Sequence, residues 1–165
     1  METDFFVDTF QSPFGLLRIE ASAEHLLSVR WQKTDGPSFV HTSRNALLVE
    51  ARAQLDAYFR GDLKDFHLPY TLTGTPFQLS VWHALMDIPY GKTVCYQDIA
   101  VRIGSPGASR AVGMANHQNP LALVVPCHRV VGKNRTLTGY AGGLDIKQVL
   151  LDLEYRYANH ENFLF

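Results

Sequence analysis

Cysteine is scarce in this 165-residue chain: Cys95 and Cys127 are the only two. They form no C-x-x-C pair, so a cysteine-based zinc site is not expected. A reduced intracellular chain is a simpler reading than a Cys95–Cys127 disulfide. Long apolar runs are missing as well. Nothing approaches the roughly eighteen consecutive apolar residues of a transmembrane helix. The start, Met1-Glu-Thr-Asp-Phe-Phe6, has neither the basic flank nor the apolar core of a secretory signal. Repeats and low-complexity segments are absent too. With 46% hydrophobic and 19% charged residues, the composition is that of an ordinary globular protein with one or two small domains.

The net charge of −1 conceals an asymmetry. Residues 1–75 hold seven Lys/Arg against ten Asp/Glu. Residues 92–135 hold six (Lys92, Arg102, Arg110, Arg129, Lys133, Arg135) against Asp98 alone, a net of about +5. A local basic surface on a near-neutral protein suits a polyanion.

The most informative stretch is Leu123-Val-Val-Pro-Cys-His-Arg-Val-Val131. A buried strand has no need of a polar trio in its middle. Pro126 lacks an N–H and restricts Val125, so regular pairing should end there. Cys127 is therefore expected just past a short extended segment. A neighbouring arginine and imidazole are expected to lower its thiol pKa. The alternative is a small core cysteine between two solvated neighbours.

The rest reads in order. Phe5–Phe10, Leu16–Glu20 and Leu26–Trp31 have strand character, with a turn at Ser12-Pro-Phe-Gly15. A loop at 32–42 centres on Asp35-Gly-Pro37. The spacing of Leu47, Leu48, Ala51, Leu55, Tyr58 and Phe59 predicts a helix from Arg44 to Arg60, with Gly61 at C′. His67 reads as structural. Thr75-Pro76 marks a helix start that runs through Val81, Trp82, Leu85 and Ile88. The change from strands to helices sets a domain boundary at 74/75. Residues 96–103 and 108–116 read as short helices around the turn Gly104-Ser-Pro-Gly107, a helix-turn-helix candidate with Arg110 early in its second helix. Asn119-Pro120 leads into the strand before Cys127. A basic loop follows at 132–139, then the glycine-rich Tyr140-Ala-Gly-Gly143. The last helix, 144–157, should bury Ile146, Val149, Leu150 and Leu153. The tail 158–165 is unassigned, with Phe163-Leu-Phe165 able to dock on the core. The fold class is therefore α+β: a small N-terminal antiparallel sheet with a helix (1–74), then a mostly helical domain (75–165).

These pieces together resemble the O6-alkylguanine-DNA alkyltransferases, also called methylated-DNA–protein-cysteine methyltransferases. The likeness rests on Pro126-Cys-His-Arg-Val130, Tyr96-Gln97, Ser109-Arg-Ala-Val-Gly113, Asn119-Pro120, Gly139-Tyr-Ala-Gly-Gly143 and Glu154. It covers residues 75–157 strongly and the N-terminal half in outline, as a ribonuclease-H-like domain. The resemblance implies single-turnover transfer of an alkyl group from guanine O6 in DNA, with alkylthymine left open, to Cys127, without cofactor or metal. It implies that His128 and Glu154 relay the thiol proton through a water, that Asn119 braces the turn, and that Tyr96 protonates the departing base. Tyr140, Val130, Ala141, Gly142 and Asn116 would line the base pocket. Arg110 would fill the space left by a flipped nucleotide. Ala111 and Gly113 would admit the minor groove, and Gln97, Ser105 and Lys133 would meet phosphates. It further implies double-stranded alkylated DNA as partner, a monomer in solution with cooperativity on DNA left open, no membrane, and a cytoplasmic or nucleoid location. Cys95, Asn116, His117 and Ala141 depart from the commonest family residues. Competing readings are a cysteine-free type of alkylated-DNA sensor, a helix-turn-helix regulator and a cysteine hydrolase. Cys127 speaks against the first, Glu154 and the glycine-rich wall against the second. For the third, adjacent residues in an extended chain point to opposite sides, which makes a Cys127–His128 dyad awkward.

Overall fold

The computed structural model describes residues 5–33 and 45–160. The expected loop centred on Asp35-Gly-Pro37, the Arg44 helix start and the Phe163–Phe165 tail lie outside them. Two compact units are present. The division falls between Leu72 and Thr73, and Pro120–Val124 belongs with the first unit.

The first unit is built on a three-stranded antiparallel meander: β1 (Phe6–Ser12), β2 (Gly15–Ala21) and β3 (Leu26–Gln32). Period-two patterning decides which face is covered. Leu17, Ile19 and Ala21 of β2 are fully buried, and their neighbours are partly open. The tight β1–β2 turn closes on Ser12, whose hydroxyl receives the N–H groups of Phe14 and Gly15 and donates to the Gly15 carbonyl. Helix α1 (Ala46–Phe59) covers the sheet with Leu48, Ala51, Leu55, Tyr58 and Phe59. Asn45 caps it by accepting from the Leu48 N–H, and Gly61 takes the left-handed φ of 82° that a C′ residue needs. Buried Gln54 pairs with the backbone of His67 in both directions, which pins the extended segment after the helix.

The second unit is mainly helical. Helix α2 (Pro76–Leu85) starts with the Thr75–Gln78 capping box that Thr75-Pro76 announced. It ends earlier than its apolar pattern suggested; Ile88 remains buried but sits in the turns beyond. Helices α3 (Tyr96–Arg102) and α4 (Ser109–His117) pack on each other across the turn at 103–108. Trp82 of α2 anchors α4 by donating its indole N–H to the Ala115 carbonyl at 2.8 Å. Helix α5 (Leu144–His160) closes the unit.

Two further expectations change. No strand leads directly into Cys127. Leu121 makes only a bridge to Val29, Leu123 adopts a left-handed φ of 72°, and Cys127–Arg129 forms a single 3-10 turn. The strand comes after the cysteine: β5 (Val130–Val131) pairs in parallel with β4 (Val94–Cys95). An apolar run cannot by itself tell strand from buried loop. In α5, Leu150 is buried as expected, but its fully buried companions are Lys147 and Glu154, while Ile146, Val149 and Leu153 are partly exposed. The buried stripe is polar, so a search for apolar periodicity misplaced it.

The Trp82–Ala115 bond gives a test of the α2–α4 joint. Trp82→Phe keeps most of the apolar contact but leaves a buried carbonyl unpaired. It is expected to destabilise the second unit by about 1–3 kcal/mol, read from urea unfolding followed by far-UV circular dichroism.

Candidate active site

Pro126 and the 3-10 turn bury Cys127, His128 and Arg129 almost completely, at 5%, 0% and 5% exposure. Solvent-filled surroundings cannot satisfy these groups, so each polar atom needs a protein partner. Most of them converge on Glu154 of α5, itself fully buried. Its Oε2 lies 2.6 Å from His128 Nε2 and accepts from Arg129 Nη2 at 3.1 Å. Its Oε1 accepts from Arg129 Nε at 2.7 Å and from the Gly91 N–H at 3.3 Å. Gly91 is required for that approach: its φ is 78°, and a Cβ there would stand 2.5 Å from the Ala158 Cβ. Burial pushes the Glu154 carboxyl up, but His128 and Arg129 outweigh it and hold the group well below the usual carboxylate range. The phenol of Tyr90, whose ring lies under Arg129, is pushed up to about 12 by burial and by Glu154.

An ionised carboxylate only accepts, so His128 Nε2 must carry a proton. Its Nδ1 is buried with no hydrogen-bond partner among the described residues. Around the thiol, Asn119 bonds the sulfur and also donates to the Val125 carbonyl at 2.8 Å. Asn116 donates to the Cys127 carbonyl at 3.2 Å. Burial raises the Cys127 pKa; Asn119, the Lys147 ammonium and the backbone N–H groups of Cys127 and His128 pull it back only in part.

The cation that acts on Cys127 is thus Lys147 and not Arg129, which turns to Glu154. The adjacent arginine therefore does not lower the thiol pKa in the way the sequence suggested. Lys147, fully buried, donates to the Thr138 carbonyl at 2.7 Å and stands 6.0 Å from the Tyr96 ring centroid. Burial lowers its pKa to about 8, against the pull of Cys127. Sequence reasoning passed over it. The available signal was its spacing, three and seven residues before Leu150 and Glu154, which puts all three on one helical face.

The other sequence-selected residues separate into groups. Tyr96, Gln97, Arg110, Gly113 and Lys133 line a cavity of about 430 Å³ with Cys95 and Thr138. The Tyr96 hydroxyl donates to the Thr138 carbonyl at 3.2 Å, and Arg110 and Ala111 are exposed. Gln97 is committed internally, to the Pro106 carbonyl at 2.9 Å and the Ser109 hydroxyl at 2.5 Å, and so braces the α3–α4 turn. Ser105 is half-buried in that turn, Val130 and Tyr140 are buried, and Ala141 is exposed beside half-buried Gly142. Among the described residues, no group of three His, Cys, Asp or Glu side chains could hold a metal ion. No helix among them is long and apolar enough to cross a membrane.

Two titrations test this electrostatic arrangement. Glu154 has a folded pKa below its unfolded value of about 4.5, so the unfolded state binds protons first as pH falls. Stability should be fully present above about pH 5 and decline progressively below it, and Glu154→Gln should flatten that decline in pH-dependent thermal melts. Lys147→Met removes a cation that favours the thiolate. The Cys127 pKa should then rise further, read from the pH dependence of iodoacetamide alkylation.

Comparison with known proteins gives a consistent result. The family model described as the 6-O-methylguanine DNA methyltransferase DNA binding domain matches residues 76–156. The ribonuclease-like domain of the same family matches residues 6–72. A methylated-DNA–protein-cysteine methyltransferase of Methanosarcina acetivorans is 50% identical over 148 residues, 88% of this chain and 95% of its own length. The crystal structure of Mycobacterium tuberculosis O6-methylguanine methyltransferase superimposes with a TM-score of 0.85 at 41% identity, covering 97% of this chain and 99% of that one. A crystal structure of Mycobacterium tuberculosis OGT in complex with DNA matches with a TM-score of 0.82 at 45% identity, covering 90% and 92%. The buried cysteine, its imidazole and carboxylate, and the two matched domains together place this chain in the methylated-DNA–protein-cysteine methyltransferase family.

Proposed function

We propose that this protein repairs alkylated DNA by direct reversal, with Cys127 as acceptor of the alkyl group from guanine O6. The observation that carries this is a buried thiol next in sequence to a buried imidazole whose Nε2 is held by Glu154 and whose Nδ1 has no partner among the described residues. That nitrogen is the acceptor for the thiol proton, directly or through one water molecule. The thiolate sulfur then attacks the alkyl carbon. The carbon–O6 bond breaks and its electron pair goes to the guanine, which takes up a proton. Tyr96, beside buried Lys147, is the group placed to supply it. The proton lost by the thiol balances the one gained by the base. The product is a thioether with no ready leaving group, so each molecule acts once.

A base within the stack is out of reach of a buried thiol, so the nucleotide has to leave the duplex. Exposed Arg110, early in α4, is the side chain to occupy its place, with Ala111 and Gly113 small enough to admit the minor groove. Lys133 adds a phosphate contact. The Cys127 carbonyl already accepts from the Asn116 amide and from the Val130 N–H, which together hold the turn that carries the thiol. Alkylated double-stranded DNA is the partner this reading requires. On this reading one protein molecule acts on one lesion, with no cofactor.

The decisive measurement is intact-protein mass after incubation with a duplex carrying O6-methylguanine, followed by peptide mapping. One methyl on Cys127, stopping at one equivalent, is expected; Cys127→Ala should bind the duplex and gain no mass. Methylation of Cys95 in that variant would overturn the assignment. Arg110→Ala should slow repair in duplex DNA by at least tenfold while leaving the reaction with free O6-benzylguanine near wild type. Equal losses would remove its role in flipping.

A further inference from the structure

The Glu154 carboxylate has about four lone-pair sites, and four donors fill them. Two of those donors belong to one side chain, Arg129. Its guanidinium grips both carboxylate oxygens, and its remaining arm donates to the Ile88 carbonyl at 2.7 Å. The guanidinium carbon lies over the Tyr90 ring, 5.6 Å from its centroid. Arg129 is thus fixed from the turns after α2 and fixes Glu154 in turn. A terminal carboxylate torsion is otherwise broad and soft.

We propose that Arg129 is a positioning residue that sets the tautomer of His128, by clamping Glu154 so that Oε2 always receives Nε2–H and Nδ1 keeps its lone pair. The inference rests on the alkyl-transfer reading of Cys127. Without the fork, two lone-pair sites of a buried carboxylate fall vacant. The carboxylate can then rotate away from His128, and the imidazole is free to carry its proton on Nδ1. An imidazole protonated there cannot accept from Cys127. A lysine at 129 would retain the cation but offer no planar fork. The same geometry explains why the residue after the histidine lies buried in spite of its charge.

The test uses the full chain with Arg129→Met and Arg129→Lys, each first shown to be folded by circular dichroism. The tautomer is read from long-range 15N–1H correlations of the His128 ring. The transfer rate is read in single turnover at saturating O6-methylguanine duplex, with duplex affinity measured separately. Wild type should show only the Nε2–H form. Arg129→Met should show a mixture of tautomers and lose on the order of 10²-fold in transfer rate, with duplex affinity unchanged. Arg129→Lys should recover part of both. A folded Arg129→Met protein with a single Nε2–H tautomer would overturn the proposal, whatever its rate. If Arg129→Met does not fold, Arg129→Lys decides: a slower rate with an unmixed tautomer rejects the clamp, and a mixed tautomer supports it. Absence of methyl transfer in the wild type would instead refute the Cys127 reading and leave the tautomer result standing.

Discussion

One buried carboxylate organises the catalytic half of this molecule. Glu154 draws His128 and Arg129 inward from the 3-10 turn and the Gly91 N–H from the turn that precedes β4. A carboxylate with no water around it is tolerable only while every lone pair is met. That requirement fixes several things at once. Gly91 must be glycine, α5 must run close to it, and the residue after His128 must be a fork-shaped cation. The turn bearing Cys127 is held in place as a by-product of satisfying that charge.

The thiol is built on the opposite principle. Cys127 is buried without a dedicated ion-pair partner, and its surroundings favour the neutral form. Lys147 and Asn119 supply partial compensation and no more. A resting thiol of this kind is a poor target for stray electrophiles. Reactivity depends instead on a base and a substrate being brought up together, which suits a protein that can react once only.

The sequence made the α+β class legible because its signals were local. The alternating strands, the Thr75-Pro76 helix start and the Gly61 stop each act within a few residues, and each was found in place. Cys127, His128, Glu154 and Asn119 were legible through resemblance, and they do lie together. What could not be read was the partner of each charge. Arg129 seemed to serve its neighbour Cys127, but its side chain reaches 25 positions along the chain to Glu154. Lys147 resembled an ordinary surface lysine because a helix face is normally recognised by its apolar residues. The bonds of Gln97 to Pro106 and Ser109 could not be read from its place in the sequence. The run 121–125 was as apolar as a strand, but its hydrogen-bond partners lay far away in the sequence.

Those partners carry a consequence for biosynthesis. Both backbone groups of Val29 are occupied from that run: its N–H by the Pro120 carbonyl and its carbonyl by the Ala122 N–H. The N-terminal unit therefore borrows its final edge from the middle of the other unit's sequence. On the ribosome it has to wait, incomplete, while α2, α3 and α4 are made. Neither unit corresponds to a continuous stretch of gene, so a cut at residue 72 yields one piece lacking an edge and another burdened with it.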